Sequence, residues 1–150
     1  LGQFDHIFDV PAGRLTMTAD EVSLAGASIT CAALSGIPTV TMTMGAGSCR
    51  MFFDTGAQLS YWQNPAVSQH PSAGSVTDFY PGVGRFETET YVVPASLGGV
   101  AYSLRCGILP GRLGAALLKA AVEGIVGNAV VLDRTVGYFP RRETLIFETC

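Results

Sequence analysis

The sequence predicts a mostly β fold with one short helix, organised as one compact unit. Three observations predict it. Eighteen Gly and eight Pro are spread along 150 residues, which cuts the chain into short segments joined by turns. Between the turns lie short runs that are apolar or alternate apolar with polar residues, as strands do. A single stretch, Leu113 to Val122, has the Ala and Leu content of a helix. The hydrophobic fraction of 48% excludes general disorder, and a chain of this length can bury a full core.

Taken in order, Ile7 to Pro11 reads as a strand ended by proline, and Leu15 to Thr18 as a half-buried strand. Ala25 to Leu34 is small and apolar without a clear period. Thr41 to Met44 and Cys49 to Phe53 are strand-like and joined by Gly45-Ala46-Gly47, the spacing of a β-hairpin. Leu59 to Trp62 continues as a strand until Asn64-Pro65 breaks it. Gln69 to Gly74 has the composition of a surface loop. Ser75 to Tyr80 and Phe86 to Pro94 are the arms of a second hairpin around Pro81-Gly82-Val83-Gly84, and Leu97 to Val100 is a further hairpin turn. The helix follows Gly111 and stops before Gly124. Val130 to Leu132, Thr135 to Phe139 and Thr144 to Phe147 read as closing strands, the last two separated by a turn at Pro140-Arg141-Arg142.

Several function classes are disfavoured. A net charge of −3, with 14% charged residues and only one Lys among nine basic residues, leaves no nucleic-acid footprint. No apolar run approaches the length of a membrane span. The beginning at Leu1, with neither Met nor a leader-like segment, reads as processing or trimming. Cys31, Cys49, Cys106 and Cys150 are far apart with no C-x-x-C pair, so neither a metal site nor any other cofactor is expected. They form either two disulfides, which would favour a secreted or periplasmic setting, or free thiols in the core; Cys150 could also pair between chains.

The residues that carry chemistry are Phe52-Phe53-Asp54-Thr55-Gly56-Ala57. An apolar strand here delivers an acid straight into a tight turn, where Thr55 can bond locally and Gly56 permits an unusual backbone angle. A carboxylate held at a strand–turn junction is placed for acid–base work, although Asp and Gly also open ordinary turns.

From about Pro38 onward the chain resembles the aspartic proteases. Three marks carry the resemblance: Asp54-Thr55-Gly56-Ala57 after an apolar strand, Gly124-Ile125-Val126-Gly127-Asn128 late in the chain, and a flap-like Asp78-Phe79-Tyr80-Pro81-Gly82-Val83-Gly84. Ala57 is closer to the retroviral-type, single-lobe members than to the two-lobed pepsins, and Pro81 departs from the usual flap order. The resemblance implies a single-lobe acid-protease β-barrel over residues 37–150, with residues 1–36 as an N-terminal extension, interface strands or a propeptide remnant. It implies Asp54, Thr55 and Gly56 as catalytic residues. It also implies substrate contacts from Tyr80, Gly82, Val83, Gly84 and Phe86, with Trp62 either packing on Tyr80 or sitting in the core.

Peptide hydrolysis by this chemistry needs both a base and an acid, and the sequence holds one Asp-Thr-Gly. The expected active form is therefore a symmetric homodimer in which two copies of Asp54 meet across a twofold axis, acting on a peptide or protein substrate. Two other readings stand beside it: one lobe of a two-lobed pepsin-like enzyme, and a non-catalytic domain for dimerisation or peptide binding.

Overall fold

The structure, a computed structural model, describes residues 2–148 and is mostly β. Twelve strands occur among these residues: β1 (Asp5–Asp9), β2 (Arg14–Thr18), β3 (Ala27–Leu34), β4 (Ile37–Met44), β5 (Gly47–Phe53) and β6 (Ser60–Trp62), then β7 (Ser72–Tyr80), β8 (Gly84–Leu97), β9 (Val100–Gly107), β10 (Gly124–Val126), β11 (Thr135–Phe139) and β12 (Thr144–Phe147). One α-helix, α1 (Gly111–Lys119), lies between β9 and β10.

All twelve strands join one sheet in the order β2-β1-β11-β12-β3-β4-β5-β10-β6-β9-β8-β7. The sheet also returns on itself, because Thr43 and Met44 of β4 pair with Ser96 and Ala95 of β8. Period-two alternation then fills the enclosed space. Val40, Met42 and Met44 from β4, Cys49, Met51 and Phe53 from β5, and Val126 from β10 all point into the main core. The outward residues of the same strands, Phe52 and Ile125, join a second cluster with Leu59, Tyr61, Leu109 and Leu117, which α1 covers.

Residues 1–36 divide in two. β3 lies inside the main sheet between β12 and β4, whereas β1 and β2 form a separate hairpin against β11. Asp5 ties that hairpin down. Its carboxylate is fully buried and accepts hydrogen bonds from the Val22 N–H at 3.1 Å and from Arg142 Nη2 at 2.6 Å. Arg141 lies 3.2 Å from its other oxygen.

Four sequence expectations differ from the structure. Ala27–Leu34, which shows no period, is a strand because neighbours on both edges supply its hydrogen bonds. The segment read as a surface loop already enters β7 at Ser72, with a bulge before Gly74 that restores register with Thr90. Val130 to Leu132 is not a strand. Asn128–Val130 forms a 3-10 turn closed by Val131 N–H to Asn128 O at 2.9 Å, and Val130 and Val131 plug the core instead of pairing. The helix starts earlier, after Pro110, and ends at Lys119; Ala121, at φ 55°, takes the left-handed closing position expected of Gly124. Cys31, Cys49 and Cys106 are buried and unpaired, and Cys150 lies outside the described residues. No described helix is long and apolar enough to cross a membrane.

Candidate active site

Asp54 stands where three strands converge. β10 inserts between β5 and β6, parallel to β5 with Ile125 opposite Phe52, and antiparallel to β6 with Ile125 opposite Tyr61. β5 and β6 are consecutive in the chain, so residues 54–59 must bridge over the end of the intruding strand. The bridge is held at each step. Asp54 N–H donates to Val126 O at 3.0 Å, Ala57 N–H to Asp54 O at 3.2 Å, Asn128 N–H to Ala57 O at 2.8 Å and Gly127 N–H to Ser60 Oγ at 3.0 Å.

Two glycines make this crossing possible. A Cβ on Gly124 would lie 1.9 Å from Tyr61 O, and one on Gly127 would lie 2.6 Å from Ala57 O. Both are closer than any real contact allows. The sequence includes both glycines in the mark that carries the resemblance and also reads Gly124 as the residue after the helix, but neither reading gives this close approach.

The Asp54 carboxylate is exposed and oriented by its own loop, with Gly56 N–H donating to Oδ1 at 2.9 Å. A Cβ added at Gly56 would meet Oδ1 at 3.2 Å, so the carboxylate would have to shift by a few tenths of an ångström, and the φ of Gly56 is not left-handed, contrary to the sequence expectation. The Thr55 side chain, exposed beside Asp54, makes no hydrogen bond among the described residues.

Two clefts open from Asp54. The first, about 410 Å³, runs toward the β7–β8 hairpin and is lined by Gly56, Ala57, Gln58, Asp78, Phe79 and Pro81. The second, about 350 Å³, runs the other way between Phe53, Thr55 and Pro38 and the β1–β2 hairpin.

The hairpin expected around residues 81–84 is present. β7 and β8 form a hairpin whose tip closes with Val83 N–H on Tyr80 O at 3.0 Å, and Gly82 and Gly84 adopt φ of 84° and 89°. The hairpin residues that line the cleft with Asp54 are Asp78, Phe79 and Pro81. Tyr80, Gly82, Val83 and Gly84 sit around the tip outside that lining. Phe86 leans on Tyr61, ring centroids 6.2 Å apart.

Trp62 is a core residue. Alternation along β6 sends Tyr61 outward and Trp62 inward, where Trp62 is only 4% exposed and tilts against His70. It does not reach the cleft.

Sequence reasoning missed two contacts. The Tyr61 hydroxyl donates to the Asp78 carboxylate, linking β6 beside the Asp54 loop to the hairpin. Burial, and then Asp78, push the Tyr61 phenol well above its ordinary pKa. Tyr61 stands next to Trp62 in an apolar strand and Asp78 in a polar hairpin, and no local pattern joins them. His6 is the second: it is buried, stacks on Tyr138 at 5.7 Å, and lines the cleft that reaches Asp54.

The fold and site together define a β domain presenting one oriented carboxylate at the junction of two clefts. No family model matches this chain, and no curated protein matches it.

Proposed function

We propose that this chain is one lobe of an aspartic endopeptidase, active only when a second lobe brings a second carboxylate to Asp54. The observation that carries this reading is the Asp54 carboxylate itself: exposed, fixed by Gly56 N–H, and standing between two clefts on a loop bound to β10. A lobe closed into a β-barrel around the β4–β8 pairing gives that loop a rigid base.

Two carboxylates about 3 Å apart cannot both ionise, so the pair shares a proton and titrates as a unit. The ionised member takes a proton from water as the water oxygen attacks the scissile carbonyl carbon. The protonated member gives its proton to the carbonyl oxygen. Collapse of the tetrahedral intermediate then breaks the C–N bond, with a proton passing to the leaving amine. An extended peptide fits the cleft beneath the β7–β8 hairpin, with Phe79 and Pro81 as apolar contacts.

The second lobe is either an identical chain or a separate lobe of the same fold. Sedimentation over a range of concentrations addresses the first, since a strict monomer excludes a homodimer. The activity test compares the native protein with Asp54→Asn on a mixed peptide library from acid to neutral pH. Cleavage lost in Asp54→Asn with an unchanged circular dichroism spectrum supports the reading. Cleavage undiminished in the variant overturns it.

A further inference from the structure

β1–β2 and β11–β12 share one hairpin geometry. β1 pairs antiparallel with β11, Ile7 opposite Gly137. An antiparallel pair has a local twofold axis midway between opposed residues, and the axis between Ile7 and Gly137 carries each residue to the one 130 positions later (137 − 7). The same shift reproduces the rest of the hairpin. Asp9 faces Arg14 as Phe139 faces Thr144. Asp5 faces Thr18, and their counterparts are joined by Glu148 N–H to Thr135 O at 3.0 Å. The turns agree too. Gly13 N–H donates to Val10 O at 3.0 Å and Glu143 N–H to Pro140 O at 3.2 Å, with Gly13 and Glu143 both left-handed at φ 62° and 48°.

The surroundings of the two hairpins are not alike. Leu145 and Phe147 are fully buried in the main core, but their counterparts Leu15 and Met17 are 60% and 51% exposed. β12 is paired with β3 along its outer edge, whereas β2 ends the sheet. Apolar side chains and an unpaired edge on the same strand mark a surface that another chain segment covers. Leu15 and Met17 also line the cleft that reaches Asp54 and Thr55.

We propose that β1 and β2 are the closing hairpin of a second lobe of the same fold, joined to this chain ahead of Phe4. Its core covers Leu15 and Met17, and its counterpart of β3 pairs with the free edge of β2. Its acid-bearing loop meets Asp54 across the local axis, and for this last point alone the inference rests on the peptidase reading. An identical chain is disfavoured as the partner, because β1 already occupies the edge of β11 that a second copy's β11 would need.

The test replaces Met17, and separately Leu15, with photoreactive benzoylphenylalanine in the polypeptide as its source makes it. Both positions are exposed in this lobe, so its fold tolerates the change. The expected result is a cross-link within one polypeptide, mapped by peptide mass spectrometry to residues ahead of Phe4. A cross-link between identical chains overturns the proposal, as does the absence of any cross-link from both positions. Activity is read separately: an internal cross-link without Asp54-dependent cleavage sinks the peptidase reading alone. Asp54-dependent cleavage without the cross-link sinks this inference alone.

Discussion

Asp5→Asn tests how the hairpin beside the Asp54 cleft is held. Asp5 is fully buried and accepts one hydrogen bond from the Val22 N–H and one from Arg142, with Arg141 close to its other oxygen. Hydrogen bonds to a charged group contribute roughly 1.5–3 kcal/mol each. The Arg141 and Arg142 side chains are 39% and 34% exposed, so water compensates them in part once the charge is gone. The expected loss is about 2–4 kcal/mol by urea unfolding at neutral pH, or roughly a 5–15 °C fall in Tm for a chain this size. Asp9→Asn is the control, since its partner Arg14 is 70% exposed and such surface pairs are worth less than about 1 kcal/mol.

The pH dependence has a definite sign. Burial alone would raise the Asp5 carboxyl, but the Val22 N–H and the two guanidinium groups outweigh it and hold it below the ordinary 3.8. A depressed folded-state pKa gives stability that is present above the unfolded value and lost as pH falls through the folded one. The gap between native protein and Asp5→Asn should therefore be constant above about pH 5 and shrink in more acidic solution. A loss at neutral pH no larger than that of Asp9→Asn would refute the reasoning.

Three further outcomes are expected. Gly127→Ala forces a Cβ to 2.6 Å from Ala57 O, so it should cost about 1–3 kcal/mol by denaturation and, under the peptidase reading, abolish peptide cleavage. Tyr61→Phe keeps the ring and removes the bond to Asp78; it should cost about 1 kcal/mol and speed amide hydrogen exchange in β7 and β8 more than in β11 and β12. Burial pushes the thiols of Cys31 up to about 11 and of Cys49 and Cys106 up to about 12, so a thiol reagent at pH 8 should label these three only after unfolding, as read by peptide mapping.

What the sequence could show depended on the range of the interaction. β4 and β5 were legible because alternation and a Gly-containing turn are local, and Asp54 was legible because a strand, an acid and Gly56 are adjacent. Ala27–Leu34 was opaque because small residues leave no period, and its strand state is imposed by β12 and β4 on either side. Val130 and Val131 misled for the opposite reason: β-branched residues suit strands, and here they serve as a plug. Tyr61 with Asp78 depends on a fold-level meeting that no window contains. The repeat of β1–β2 in β11–β12 left a faint trace, Leu15 matching Leu145 and a turn before each. What carries it is the register and the paired turn bonds, not residue identity.

The insertion of β10 between β5 and β6 also sets an order of assembly. Asp54 lies early in the chain, yet its backbone is fixed by Val126, and its loop by Gly127 and Asn128. Contacts at such separation form late, since long loops must close before they contribute stability. A chain that has been made or folded only as far as β9 holds its carboxylate on an unanchored turn. Under the peptidase reading the fold therefore delays its own activity: the acid is written first and armed last.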